Sequence, residues 1–210
     1  MPGPAAVRRR KKPAGQYHHG DLRRALVEEA VRTIRSLGVE QLTLRTIGER
    51  LGVSRTALYR HFSDKQALLA AVSTEGFRTL RLALSDAWEQ HGRGRSGFEA
   101  MAVAYVSFAA THPAHYRVMF GRFLESAAGN ADLQSEATAA FDVLVAALVA
   151  QQEAGIVRRD EPRLQARFIW AAVHGTAMLA IDGQLDGDED GEALNAYAIE
   201  RLRQAIAAES

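Results

Sequence analysis

The chain has 210 residues, 47% of them hydrophobic and 24% charged, which is enough apolar material for one good core or for a small domain plus a larger one. There is no cysteine, so disulfides, cysteine-ligated zinc and thiol catalysis are excluded, and a reducing, cytoplasmic setting is expected. The net charge of +1 hides an asymmetry: residues 1–65 hold 14 of the 26 Lys/Arg and 6 of the 25 Asp/Glu, a balance of +8, against −7 for the remainder, so one end is drawn to a polyanion and the other is not.

Residues 1–20 have too few apolar positions to pack and read as a flexible basic tail. Its cationic block, Arg8, Arg9, Arg10, Lys11 and Lys12, has no apolar stretch behind it, so it is not a signal peptide. The apolar runs at 102–110 and 143–150 fall short of the roughly 20 residues that cross a bilayer, and no membrane partner is expected. From Asp21, a candidate N-cap, Leu22, Ala25, Leu26, Ala30, Ile34 and Leu37 recur at helical spacing until Gly38.

The next stretch is punctuated at short intervals. Thr43 is placed to cap a helix from Leu44 to about Leu51, and Gly52 ends it. Ser54 is placed to cap a second short helix from Arg55 to about Phe62. Ser63 stands three before Gln66, a capping-box spacing, and opens a longer helix to about Glu89. Further helices are predicted at about 98–112, 114–126, 132–154, the 160s to 181, and 189–208, with a solvated acidic connector at 181–192. No sustained strand pattern occurs. The expected fold is all-α: a three-helix unit at 21–65 and a larger helical unit at 66–210 for regulation and dimerisation.

Two short helices separated only by Gly52-Val53-Ser54 must cross steeply, as in a helix-turn-helix. Ile47, Leu51, Val53, Leu58 and Phe62 face inward, with Ala57 allowing close approach; Arg55, Thr56, Tyr59 and Arg60 are left on the outer side. A duplex major groove admits one such helix, whose first residues meet base edges. Arg55 is therefore the expected base reader and Thr56 a second contact to a base or a thymine methyl. Thr43, Arg45, Thr46, Tyr59, His61 and Lys65 suit phosphates, Ser54 satisfies the helix start, and Arg60 fits either role. The basic tail adds an electrostatic contribution along the backbone.

The segment LTLRTIGERLGVSRTALYRHFSDKQALLAAV, together with YHHGDLRRALVEEA at 17–30, resembles the DNA-binding domain of TetR-like (TetR/AcrR) transcriptional regulators. In the larger domain, HPAHYRVMF (112–120) and WAAVHGTAMLAIDG (170–183) resemble a C-terminal subtype marked by a Trp and a His-Gly pair. The resemblance implies a homodimeric repressor on a palindromic operator. Its larger domain would bind a small ligand, and spreading of the DNA-binding heads would release the DNA. By position, Thr43, Arg45, Thr46, Ser54, Arg55, Thr56, Tyr59, His61 and Lys65 inherit DNA contacts. Gly48, where many relatives have alanine, is expected to loosen its helix slightly.

Around 164–181 apolar residues (Leu164, Phe168, Ile169, Trp170, Val173, Met178, Leu179 and Ile181) occur almost all the way round the helix, so it needs cover on more than one side. With the stripe Leu194, Tyr197, Ala198, Leu202, Ala205 and Ile206 it is the expected twofold pairing surface. Candidate liners of a ligand cavity are Tyr105, Phe108, Tyr116, Met119, Phe120, Phe123, Phe141, Trp170, His174 and Met178, with Phe77 and Trp88 beside them. Their mixture suggests a mainly apolar or aromatic ligand. No lysine follows Lys65, so an anionic ligand would need arginine. His112 and His115 lack a third ligand at helical spacing, and no metal site or cofactor is expected. Phosphate loops, metal-ligand clusters and nucleophile elbows are missing, so the chain is not expected to be an enzyme. Alternatives within DNA binding are an activator or dual regulator, or a larger domain that answers to a protein partner.

Overall fold

The computed structural model describes residues 19–123, 129–185 and 188–208. The basic block at 8–12 and most of the tail assigned to 1–20 lie outside them. Among the described residues the fold is all-α. They divide into two compact units that part between Lys65 and Gln66.

The first unit contains α1 (His19–Leu37), α2 (Leu44–Leu51) and α3 (Arg55–His61). Helix α1 begins two residues before the expected cap, so Asp21 lies inside its first turn. Gly38 ends it at φ +86, a left-handed conformation that costs glycine little. Leu22, Leu26, Ala30 and Ile34 are buried with Val39, Leu42, Ile47, Leu58 and Phe62. Leu37 departs from the pattern at 50% exposed, because the chain turns away at Gly38 before anything covers it.

The sequence reading missed a polar tie between α1 and α2. The Glu29 carboxylate, 8% exposed, accepts from Arg32 Nε at 2.8 Å and from Arg50 Nη1 at 3.3 Å. Arg50 also reaches the buried Thr33 hydroxyl at 3.4 Å. Burying a carboxylate without such partners is costly.

The second unit holds α4 (Lys65–Gln90), α5 (Arg95–Thr111), α6 (Pro113–Phe120), α7 (Ala131–Glu153), α8 (Pro162–Ile181) and α9 (Asp188–Ile206). Helix α4 begins at Lys65, so Asp64 and not the expected Ser63 stands at its cap position, and the Ser63 hydroxyl donates to the Asp64 carboxylate at 3.0 Å. Asn130 caps α7 by accepting from Leu133 N at 3.0 Å, and Glu161 caps α8 by accepting from Arg163 N and Leu164 N. Helix α6 stops at Phe120, short of the predicted 126. Its C-cap, Gly121, has extended backbone, and an added Cβ there would collide with the Arg117 carbonyl. Helix α7 is, by length and composition alone, apolar enough to cross a membrane, which the apolar-run reading missed; its Ala147 and Leu148 pack into the unit's core.

That core gathers Leu80, Leu84, Met101, Tyr105, Phe108, Tyr116, Leu148, Ile169, Val173, Leu202 and Ile206. Outside the helices, Val157 and Ala207 form an isolated antiparallel bridge, with Arg158 N donating to Ile206 O at 2.8 Å and Ala208 N to Ile156 O at 3.3 Å.

Candidate nucleic-acid interface and internal cavity

The turn between α2 and α3 is built from its caps. Thr43 Oγ1 accepts from Thr46 N at 3.1 Å, and Ser54 Oγ accepts from Ala57 N at 3.2 Å. Gly52 sits at φ +67 and its N–H returns to Glu49 O, while Val53 N donates to Gly48 O. Gly48 is buried, and a Cβ on it would stand 2.9 Å from Leu58 Cδ1. It therefore permits close approach of α3, the role assigned from sequence to Ala57, rather than merely loosening α2.

With Leu58 and Phe62 buried, Ser54, Arg55, Thr56, Tyr59 and Arg60 are exposed on the opposite side of α3. The Arg55 guanidinium lies over the Tyr59 ring, 5.5 Å from its centroid, a cation–π contact one turn along the helix. On α2, Thr43 is exposed and shares a 2.7 Å hydroxyl contact with the half-buried Thr46. Arg45 is paired with Glu49 at 2.8 Å; the pair is solvent-exposed and worth little. His61 is half-buried at the end of α3. Lys65 Nζ, at the end of the first unit, donates to the Glu40 carbonyl of the same unit at 3.2 Å.

The second unit holds a cavity of about 340 Å³ that is partly open to solvent. Of the ten candidate liners, Tyr105, Phe120, Phe141 and Trp170 line it, and Phe77 does so too. The other six do not: Phe108, Tyr116 and Met119 are core residues, and Phe123, His174 and Met178 stand off the wall. Aromatic rings at helical spacing pack on each other, and that pattern does not say which of them faces a void. Tyr116 and His174 nevertheless reach the wall through hydrogen bonds. Trp170 Nε1 donates to Tyr105 Oη at 2.9 Å, Tyr116 Oη donates to Tyr105 Oη at 3.1 Å, and His174 Nδ1 lies 2.7 Å from Tyr116 Oη. Burial pushes the Tyr105 phenol up to about 12 and lowers His174, so both are neutral at pH 7. Gln151, which also lines the cavity, was not foreseen. Among the described residues no three His, Asp or Glu side chains gather as metal ligands would.

A capped helix-turn-helix with a basic outer face, in a chain whose other unit is helical and holds a mainly apolar cavity, fits a DNA-binding regulator. Residues 26–72 match the family described as bacterial regulatory proteins, tetR family, and residues 98–202 match the tetracyclin repressor-like C-terminal domain. The chain belongs to the TetR family and is a DNA-binding transcriptional regulator. The HTH-type transcriptional regulator BetI of Cronobacter sakazakii is 29% identical over 163 residues, 77% of this chain and 76% of that protein. The class C tetracycline repressor of Escherichia coli is 35% identical over 96 residues, so the match spans 43% of that repressor's length. A protein of unknown function from Rhodococcus sp. RHA1 superimposes with a TM-score of 0.80 at 34% identity, covering 91% of this chain and 98% of that one.

Proposed function

We propose that the chain is a homodimeric cytoplasmic repressor that reads a palindromic operator through Arg55 and Thr56 and leaves it when a small, mainly apolar or aromatic ligand fills the cavity. The observation that carries this reading is the exposed Arg55 at the capped start of α3, braced on Tyr59. A guanidinium so placed suits bidentate pairing with guanine. Thr43, Arg45, Thr46, Tyr59, His61 and Lys65 hold phosphates, Ser54 organises the helix start, and Arg60 serves either surface. The protein works by binding rather than by catalysis.

Pairing is supported by α8. Its Ile169 and Val173 face the core, while Leu164, Phe168 and Leu179 are 65%, 54% and 42% exposed, and Tyr197 on α9 is 62% exposed. A Cβ added at Gly175 would meet nothing within 4 Å. A second copy of the same face would cover this apolar strip. Tyr105, Phe120, Phe141 and Trp170 contact the ligand, while Tyr116 and His174 act through Tyr105. The Trp170 and His174-Gly175 marks of the proposed C-terminal subtype would then belong to one functional cluster.

The test is selection of bound fragments from the source genome, followed by titration of the recovered duplex. An inverted repeat bound by a dimer supports the reading. A preference-free footprint, or binding by a monomer to a single half-site, overturns it.

A further inference from the structure

The wall of the cavity carries one polar group with nothing to do. Gln151 lies on α7, is 1% exposed and lines the cavity, and its Oε1 has no hydrogen-bond partner. The adjacent glutamine is different: Gln152 Nε2 donates to the carbonyls of Arg158 and Asp160 and to Gln165 Oε1. Burying an amide oxygen without a donor is costly, and a leucine of similar size would fill the position without that cost.

A second group on the same wall is left with a proton to give. Tyr105 Oη accepts from Trp170 Nε1 and from the Tyr116 hydroxyl. With the Tyr116 proton spent there, the 2.7 Å contact between Tyr116 and His174 Nδ1 takes its proton from the imidazole, which selects the Nδ1–H tautomer. Nδ1, 3.1 Å from Tyr105, then cannot accept from it. The Tyr105 proton has no taker within this group, and Tyr105 borders the cavity.

The charge on the wall is compensated. Arg203 is bridged to Glu200 at 2.6 Å, with Glu99 adding negative charge beside it, and Arg95 is exposed. The volume is at the low end of the roughly 300–1,000 Å³ of small-molecule sites.

We propose that the cavity takes an uncharged, compact, mainly aromatic or hydrocarbon molecule with a hydroxyl or N–H donor for the Gln151 carbonyl oxygen and an oxygen acceptor for the Tyr105 hydroxyl. This deepens, and rests on, the reading of the second unit as a ligand-binding one.

The test is calorimetric titration of the full chain at pH 7, without DNA, by three probes of one shape: naphthalene, 2,6-dihydroxynaphthalene and 2-naphthoate. The diol is expected to bind about tenfold or more tighter than the other two. Gln151→Leu is expected to lower diol affinity about five- to tenfold and leave naphthalene unchanged or tighter, and Tyr105→Phe to lower diol affinity by a similar factor relative to naphthalene. Circular dichroism melts identify a variant that fails to fold, and the two variants probe the two hydrogen bonds separately. Preferential binding of the carboxylate, equal binding of diol and hydrocarbon, no binding by any probe, or a diol preference that survives both variants overturns the proposal. DNA affinity, measured separately on the same samples, separates the two readings. Diol preference without any change in DNA binding upholds the site chemistry and overturns the release step.

Discussion

Gly48 and Leu58 meet across the helix-turn-helix so closely that a methyl group on the glycine would press on Leu58 Cδ1. Leu58 is 2% exposed, so its side chain has little room to yield. Gly48→Ala gains about 1 kcal/mol of helix propensity but overpacks the corner at a cost of about 1–3 kcal/mol. The expected net effect is a loss of about 1 kcal/mol in the first unit, read by chemical denaturation. A more stable variant would show that Leu58 turns aside.

Arg55→Ala is expected to weaken operator binding about tenfold or more while changing random-duplex affinity far less. Fluorescence anisotropy on both duplexes at fixed salt decides it. An equal loss on both would make Arg55 a phosphate contact.

Glu29→Ala removes the acceptor shared by Arg32 and Arg50. The arginines are partly exposed, with side chains at 57% and 41%, and water recovers part of their solvation. The expected cost is about 1–2 kcal/mol of first-unit stability. Hydrogen exchange should show it as faster opening of α1 and α2, with the second unit unaffected.

Glu136 on α7 accepts from Arg78 Nε at 2.8 Å and Arg81 Nε at 3.2 Å on α4. The hydrogen bond from Arg78, opposed by burial and aided by Arg81, holds its carboxyl below the usual range. A lowered folded value means that the clasp contributes fully above the unfolded pKa of about 4.3 and is lost as pH falls through the folded value. The Tm difference between wild type and Glu136→Gln should be constant from pH 7 to about 5.5 and close in more acidic solution. A gap that persists there would place its origin outside the ion pair.

Phe168→Glu puts a charge into the proposed pairing face. Sedimentation at micromolar concentration should shift from dimer to monomer, with the helical content retained. A dimer that survives would move the interface elsewhere.

The first unit was legible because its signals are local. Thr43, Gly52 and Ser54 lie within a turn of the groups they satisfy, so their spacing gives the helix boundaries directly. The Glu29–Arg50 tie joins residues 21 apart, and only the packed structure brings them together. In the second unit, spacing identified the helices but could not tell a ring in the core from one at a void; Phe108 and Phe120 have the same sequence signature and different surroundings. Gln151 carried a signal, a polar residue at the end of an apolar run, that was masked by the polar Gln152 and Glu153 after it.

The bridge between Val157 and Ala207 has a practical side. Val157, Ile206 and Ala207 all border the cavity, and in this part of its wall two backbone hydrogen bonds add to the packing of Val157 and Ile206 in the core. Local opening of such a seam breaks few hydrogen bonds compared with unfolding the unit. The amide protons of Arg158 and Ala208 are therefore a built-in occupancy gauge: their exchange with solvent should slow when the chamber is filled, whatever fills it.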